Sequence, residues 1–208
     1  MNNIDQLFNK CPDFVDFAKG YFEYLSDLLG RLDVDKIGDF VRELEKARED
    51  GKTIFLAGNG GSAATASHMA NDIGIDVLKK GKNEKPFRAM SLTDNISVLT
   101  AIANDEIYDN IFVNQLRIHY RPGDMLVVIS ASGNSPNVVA AARWVAERDG
   151  KVVGIVGFDG GKLLEVCDMV VHTRSMKGEY GHTEDMHMII EHLISNWLIC
   201  KLKAGDLT

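Results

Sequence analysis

Short apolar runs alternate with amphipathic segments along most of the chain. Five runs have the length and β-branched character of strands buried on both faces, and they cover residues 52–58, 87–93, 124–130, 151–158 and 168–173. Segments whose apolar residues have helical spacing lie between these runs, near 62–79, 95–103, 136–149 and 161–166. A last helix is predicted from about 183 to 203. Residues 81–87 are predicted to form a polar loop. This alternation predicts an α/β fold with a doubly wound, five-stranded parallel sheet.

A helical pattern precedes the first strand. Apolar residues such as Phe14 and Phe17 recur every three or four positions and predict two helices over residues 13–49. Their apolar face must pack either on the sheet domain or on another subunit, and the sequence leaves both possibilities open. We therefore expect an N-terminal helical segment at residues 1–50, followed by one α/β domain at residues 51–208.

Composition excludes several classes of protein. The 208 residues suffice for one domain, and 45% hydrophobic with 25% charged residues is an ordinary globular composition. The net charge of −7 disfavours a nucleic-acid or anionic-membrane partner. Three isolated cysteines without a CxxC spacing disfavour a disulfide scaffold. Because the chain also shows neither a signal-peptide pattern nor an apolar run near the ~20 residues that span a bilayer, we expect a cytoplasmic protein.

Two polar turns follow predicted strands, at the edge where an open parallel sheet binds its ligands. The first, GNGGS at residues 58–62, lets backbone approach a ligand but lacks the G-x-G-x-x-G spacing of a dinucleotide site. The second, ISASGNSPN at residues 129–137, offers the hydroxyls of Ser130, Ser132 and Ser135 just before a helix that begins with proline. Hydroxyls and helix-start amides together predict a phosphate site. Since the lysine of a nucleotide P-loop is missing, a small phosphorylated metabolite is favoured.

Candidate metal ligands lie on two predicted helices. His68 and Asp72 are four residues apart and share one helix face, a spacing that suits zinc or a similar divalent ion. The last helix concentrates half of the chain's six histidines within eleven residues, together with two glutamates: His182, Glu184, His187, Glu191 and His192. This local excess of histidine favours a functional site on the helix.

Several of these segments resemble one family. The segments AGNGGSAATASHMANDIG, LTAIANDEIYDNIF, RPGDMLVVISASGNSPNVV, VVGIVGFDGGKL and EDMHMIIEHL are similar, in order and spacing over roughly residues 30–200, to the bacterial phosphoheptose isomerases of the sugar-isomerase (SIS) fold. The resemblance implies a flavodoxin-like sheet in a SIS sugar-phosphate isomerase domain. It also implies a homotetramer that assembles through the N-terminal helices, with active sites between subunits and one zinc ion in each. The implied reaction converts sedoheptulose 7-phosphate to D-glycero-D-manno-heptose 7-phosphate, an early step toward the heptose of lipopolysaccharide or capsule.

Carried over residue by residue, the resemblance assigns roles at the site. The substrate-binding residues are Asn59, Gly60, Gly61, Ser62, Asn104, Asp105, Ser130, Ala131, Ser132, Ser135 and Glu184. The metal ligands are His68, Asp72, Glu184 and His192, and the catalytic residues are Asp72, Glu184 and His192. In the implied mechanism a proton moves between C1 and C2 through an enediol. Asp72 or Glu184 is one proton-transfer group and His192 is the other, while a divalent ion polarises the carbonyl.

The chain departs from the family pattern at three places. Asp72 stands where the family usually has Glu, Glu184 stands where it usually has Gln, and residues 74–76 read Gly-Ile-Asp in place of Thr-Gly-Arg. The carboxylate of Asp72 is set back by about 1 Å, enough to weaken a positioned base. Glu184 adds a charge and could compensate as a ligand or as a base.

The spacing between Glu184 and His192 limits how they could share an ion. They are eight residues apart, about 12 Å along an unbroken helix. Either Glu184 lies before the helix proper, or the two residues serve different sites across a subunit boundary.

Other functions remain open at this stage. A non-catalytic SIS protein similar to the DnaA-binding initiation factor would keep the phosphate loop but lose the catalytic carboxylate and the final histidine, whereas this chain has Asp72 and His192. A sugar-phosphate-binding regulator would need a DNA-binding module, and the acidic, aromatic N-terminal helices do not look like one. An isomerase of another sugar phosphate remains possible because of the changes at residues 72 and 184.

Overall fold

The computed structural model of the protein describes residues 1–80 and 85–207. Its centre is a five-stranded, all-parallel sheet with strands β1 (Thr53–Ala57), β2 (Arg88–Ser91), β3 (Met125–Ser130), β4 (Lys151–Val156) and β5 (Met169–His172), in the order β2-β1-β3-β4-β5. Each strand lies inside one of the five predicted apolar runs, so the predicted sheet is confirmed. Residues 81–84 of the predicted polar loop lie outside the described residues.

Helices surround the sheet on both faces. They are α1 (Asn3–Lys10), α2 (Phe14–Gly30), α3 (Val34–Glu49), α4 (Gly61–Asn71), α5 (Val77–Lys80), α6 (Ile96–Asp105), α7 (Val113–His119), α8 (Pro136–Ala146), α9 (Leu163–Val166) and α10 (Tyr180–Ala204). The helix predicted over residues 62–79 contains a wider π turn at Asp72–Asp76, a feature that is frequent at functional sites. Helices α1 and α7 were not predicted. A capping box between Asn2 and Asp5 stabilises the start of α1.

The alternating side chains of the strands build one core on each face of the sheet. Ile54 and Leu56 of β1 pack with apolar residues of α3, α4 and α10. Phe55 and Ala57, which point the other way, pack with apolar residues of α7 and α8. The run of buried residues in β1 therefore reflects two covered faces, as in other parallel sheets. Within residues 1–80 and 85–207, none of the helices is both long and apolar enough to cross a bilayer.

The N-terminal helices differ in how far their apolar side chains are buried. Phe40 and Leu44 of α3 are fully buried in the core beneath the sheet. By contrast, Phe14 and Phe22 of α2 are 79% and 65% exposed. Helix α3 thus belongs structurally with the sheet, while α2 presents aromatic residues to its surroundings. The division at residue 50 and the oligomerisation role of this segment stay predictions.

The order of the strands determines where a ligand site is expected in the sheet. The chain leaves β1 toward one side of the sheet and β3 toward the other, and β1 and β3 are neighbours. Where the chain leaves two neighbouring parallel strands in opposite directions, a crevice opens at their carboxyl ends. This crevice is the usual ligand position in such folds.

Candidate functional site

The glycine turn after β1 (residues 58–62) and the serine loop after β3 (residues 129–137) enclose one pocket of about 260 Å³. All of the predicted substrate-binding residues except Asn104 and Asp105 line it: Asn59, Gly60, Gly61, Ser62, Ser130, Ala131, Ser132, Ser135 and Glu184. Tyr180, at the start of α10, also lines the pocket and was not predicted. Two stretches about seventy residues apart in sequence therefore share one cavity, as expected for neighbouring strand ends.

Two helices begin at this pocket without a side-chain cap. Helix α4 follows the N-cap Gly60 and α8 follows the N-cap Ser135, and neither residue makes a capping hydrogen bond with its side chain. Elsewhere in the chain the N-cap side chain of Asp33 accepts from the amide of Lys36. The Val138 amide of α8 donates to Asn137 Oδ1 at 2.9 Å, but neither N-cap side chain competes for the first-turn amides, and the dipoles of both helices favour an anion. The pocket therefore has features that suit a phosphate group, and we call it the phosphate pocket.

The serine loop is held from behind by the loop after β4. The Ser130 hydroxyl accepts from the Gly133 amide at 3.1 Å, and the Gly133 carbonyl accepts from the Leu163 amide at 3.1 Å. Gly133 has a φ of +62°, and a Cβ atom there would overlap the Gly160 carbonyl. The DGGKL segment therefore supports the serine loop, and its close approach requires glycine at residue 133.

Asn59 is fixed by a small network of side chains. Its amide exchanges two hydrogen bonds with the amide of Asn137, at 2.9 and 2.8 Å. The Tyr108 hydroxyl donates to Asn59 Oδ1 at 2.9 Å. Asn137 is buried at the start of α8, so it links the glycine turn to the serine loop. Sequence reasoning missed this role of Asn137 because nothing local to it identifies a partner 78 residues away.

Four side chains that could hold a metal ion converge beside α4 and α10. These are His68, Asp72, Glu191 and His192, whose ligand atoms all lie within 4.8 Å of one another. His68 Nδ1 lies 3.0 Å from Glu191 Oε2 and 3.8 Å from Asp72 Oδ1, while His192 Nε2 lies 3.6 Å from Glu191 Oε2. Two imidazoles and two carboxylates form a donor set that suits zinc or another first-row divalent ion. The residues therefore fit a metal site.

Glu191 is the buried member of this group. Its side chain is 0% exposed, whereas those of His68 and His192 are 42% and 50% exposed. Burial, together with the nearby charge of Asp72, raises the pKa of Glu191 to about 7, and His192 opposes the rise. In the sequence, Glu191 is one of two glutamates on the histidine-rich helix, and nothing in the pattern assigns it a role.

Glu184 lies outside this group of four and belongs to the phosphate pocket. It is one of the residues that line the pocket, and a Cβ atom on Gly61 would overlap its carboxylate. Glycine at residue 61 therefore makes room for Glu184. Burial raises the pKa of the Glu184 carboxyl, and the charge of Asp185 adds to the rise.

The structure excludes one of the two alternatives for Glu184 and His192. Both residues lie inside the continuous helix α10, so Glu184 does not precede the helix. The separation of about 12 Å along the axis therefore applies. The role of Glu184 as a metal ligand stays a prediction, and within one subunit this spacing opposes it.

Four other residues that the sequence singled out lie away from both the phosphate pocket and the metal group. Asn104 and Asp105 end α6, where the Asn104 amide donates to Asp105 at 2.8 Å. His187 is fully buried, and its Nε2 atom donates to the Thr173 hydroxyl at 3.1 Å. The His182 ring stacks on Tyr21 with centroids 3.7 Å apart. Of the three histidines on α10, His192 alone reaches the candidate site.

Comparison with known proteins finds close relatives. The SIS domain family model matches residues 20–157. A phosphoheptose isomerase from Rhodospirillum rubrum is 42% identical over 147 residues, which cover 71% of this chain and 75% of that protein. The solved structure of a phosphoheptose isomerase from Neisseria gonorrhoeae superposes with a TM-score of 0.78 at 28% identity, covering 87% of this chain and 96% of that one. A phosphoheptose isomerase from Francisella tularensis has the same TM-score at 23% identity, covering 91% of this chain and 99% of that one, and supports the fold.

Proposed function

Because the chain belongs to the SIS-domain family and, within it, to the phosphoheptose isomerases, we propose that it interconverts sedoheptulose 7-phosphate and D-glycero-D-manno-heptose 7-phosphate. The observation that carries the proposal is the pairing of two neighbouring sites. One is a phosphate pocket where two uncapped helices begin, and the other is a group of imidazoles and carboxylates that suits a divalent ion. An isomerase of a phosphorylated sugar needs both.

The distance between the two sites fits a long sugar phosphate. Gly61 lines the phosphate pocket and His68 belongs to the metal group, and both lie on α4. They are separated by two helical turns, about 10 Å along the axis. In sedoheptulose 7-phosphate the phosphate is on C7, at the far end of the chain from the reacting carbons C1 and C2. A substrate anchored in the pocket can therefore present its reacting end near the metal group.

The chemistry follows from the side chains at that end. We assign one proton transfer to Asp72 and the other to His192, so that a proton leaves one carbon and returns to its neighbour through an enediol. Glu184, the alternative to Asp72, lies in the phosphate pocket rather than at the reacting end. A divalent ion held by the group would polarise the carbonyl and stabilise the negative charge that develops on the enediolate. Zinc is the ion that the donor set favours.

Replacing His192 with Ala tests this assignment. The variant should lose turnover but keep its fold, because the His192 side chain is half exposed. His119→Ala, at an exposed position on α7, is the matched control and should keep wild-type turnover. Turnover in D2O provides the second readout, since proton transfer through an enediol introduces solvent deuterium into the product. Retained turnover in His192→Ala, or product without deuterium, would contradict the mechanism.

We infer further that the chain assembles into a homotetramer. Apolar side chains are exposed on two helices: Phe14 and Phe22 on α2 and Leu193 and Trp197 on α10 are each more than half exposed. Large exposed apolar patches usually mark interaction sites. Light scattering of the purified protein checks the mass, and a monomer at working concentration would refute this assembly.

A different sugar phosphate is the second candidate substrate. It is favoured by Asp72, whose short side chain changes the distance between a carboxylate and the reacting carbon, and by the extra charge of Glu184 in the phosphate pocket. Turnover of pentose and hexose phosphates beside the heptulose phosphate distinguishes the two candidates.

A further inference from the structure

Tyr180 carries a hydroxyl that makes no hydrogen bond within residues 1–80 and 85–207. In the same part of the chain the hydroxyls of the other four tyrosines each donate to a protein acceptor, which is Asp185 for Tyr21, Glu179 for Tyr24, Asn59 for Tyr108 and Arg148 for Tyr120. Tyr180 lines the phosphate pocket and is 54% exposed. Its hydroxyl is therefore free to donate to a molecule bound in that pocket.

The ring of Tyr180 rests on Phe158, which lies in the loop after β4. The two rings meet edge to face, with centroids 5.1 Å apart and an interplanar angle of 80°. Phe158 is buried, so it offers a fixed apolar surface to the more exposed Tyr180 ring. This contact limits the directions in which the Tyr180 hydroxyl can point.

The backbone of Phe158 is strained. Its φ is +46°, in the left-handed region that bulky side chains rarely adopt. His172 Nε2 donates to the Phe158 carbonyl at 3.0 Å, and a Cβ atom on Gly157 would overlap the Thr183 side chain. The loop after β4 is thus packed closely on the first turn of α10, with the Phe158 ring against Tyr180. Strain of this kind persists where the surroundings hold a residue in place, and it is concentrated at ligand sites.

The start of α10 is also held from the side of the N-terminal helices. Glu179, the residue before Tyr180, is buried. Its carboxylate accepts three hydrogen bonds, from the Asn3 amide at 2.7 Å, the Met176 amide at 2.9 Å and the Tyr24 hydroxyl at 2.7 Å. The backbone that carries Tyr180 is therefore fixed, as a side chain that positions a ligand requires.

The charges of the phosphate pocket make an additional donor valuable. Among the described residues that line the pocket, none is a lysine or an arginine, and Glu184 contributes a carboxylate. Neutral donors must therefore stabilise a phosphate bound in the pocket. We propose that the Tyr180 hydroxyl donates to a phosphate oxygen of the bound sugar phosphate, and that Phe158 is the positioning residue that holds the Tyr180 ring for this contact. The inference rests on the proposed function only in taking the ligand to be a phosphorylated sugar.

Calorimetric titration with inorganic phosphate tests the contact without requiring turnover. Tyr180→Phe removes the hydroxyl and keeps the ring. Tyr120→Phe is the matched control, because the Tyr120 hydroxyl donates to the Arg148 carbonyl outside the pocket. We expect the Kd for phosphate to rise about tenfold in Tyr180→Phe and to keep its wild-type value in Tyr120→Phe. In steady-state kinetics with sedoheptulose 7-phosphate, the loss should appear in KM rather than in kcat, since the phosphate is held alike before and during the reaction.

The role of Phe158 is tested through Tyr180. Phe158→Leu keeps an apolar side chain with a Cβ atom, and hence the same backbone constraint, but removes the ring. It should weaken phosphate binding severalfold in the wild-type background and have no further effect in Tyr180→Phe, where the hydroxyl is already missing. Additive losses in the double variant would refute the positioning role. Phe158→Met takes the place of Phe158→Leu if the leucine variant does not fold.

The remaining outcomes separate this inference from the proposed function. An unchanged Kd for phosphate in Tyr180→Phe would overturn it even if KM for the sugar phosphate rose, because the hydroxyl would then contact the sugar. Wild-type protein that binds no phosphate would overturn it as well. Phosphate binding that depends on Tyr180, in a protein that isomerises no heptulose phosphate, would refute the proposed function and leave this inference standing.

Discussion

Ser135 is the residue at which phosphate binding can be separated from folding. It is the N-cap of α8 and lines the phosphate pocket, yet its side chain makes no capping hydrogen bond. Its hydroxyl therefore contributes little to the stability of the helix and is free to donate to a ligand. We expect Ser135→Ala to weaken the use of substrate and to leave the free energy of unfolding unchanged.

The size of the effect follows from the lost contact. A hydrogen bond to a charged group is worth about 1.5–3 kcal/mol, which corresponds to roughly tenfold to a hundredfold in binding. Ser130, Ser132 and the amides of two helix starts remain in the pocket, so we expect the lower end of this range, about a tenfold loss in kcat/KM. Inorganic phosphate should also become a weaker competitive inhibitor by a similar factor.

Steady-state kinetics and denaturant unfolding measure the two effects in the same preparations. Asp33→Ala is the matched control, because the Asp33 side chain does cap α3 by accepting from the Lys36 amide at 3.1 Å. That variant should lose about 1 kcal/mol of stability and keep its kcat/KM. An unchanged kcat/KM in Ser135→Ala, or a loss of stability like that of Asp33→Ala, would refute the view of Ser135 as a phosphate ligand.

Two further predictions concern stability. Gly133→Ala should destabilise the protein more than Gly51→Ala. Both residues have positive φ, which costs about 1–2 kcal/mol for alanine, but only at Gly133 would the Cβ atom overlap a backbone carbonyl, which adds about 1–3 kcal/mol. Equal melting temperatures of the two variants would contradict this prediction. Burial lowers the pKa of His187 to about 4 from 6.5 in the unfolded chain. The unfolded state therefore binds the extra proton, and as pH falls from 6.5 to 4 His187 should lower the free energy of unfolding by about 3 kcal/mol, while Glu191, whose pKa is raised, contributes with the opposite sign. His187→Gln should remove the His187 contribution in denaturant titrations at several pH values and His119→Gln should not; a pH dependence unchanged in His187→Gln would contradict this.

The sequence predicted the sheet because its strands are apolar on both faces. Residues such as Ile54 and Phe55 point to opposite faces, and both faces are covered by helices. The meeting of the two polar turns in one pocket was also predictable, since turns at neighbouring strand ends lie close together. Helix α7 was missed because its seven residues, VNQLRIH, are too few for a helical period to be recognised.

The metal group was only partly predictable. His68 and Asp72 share a face of one helix, and their four-residue spacing is visible in the sequence. Glu191 and Glu184 look equivalent in sequence, since both are glutamates on the same histidine-rich helix. Which of them approaches His68 depends on the level at which α10 packs against α4, and that is decided by tertiary packing.

Turnover of sedoheptulose 7-phosphate by purified, metal-analysed protein, with and without added zinc, tests the central claim most directly. The account predicts that D-glycero-D-manno-heptose 7-phosphate forms, that a chelator stops its formation, and that zinc restores it. A folded, zinc-loaded protein that leaves sedoheptulose 7-phosphate unchanged would contradict the claim.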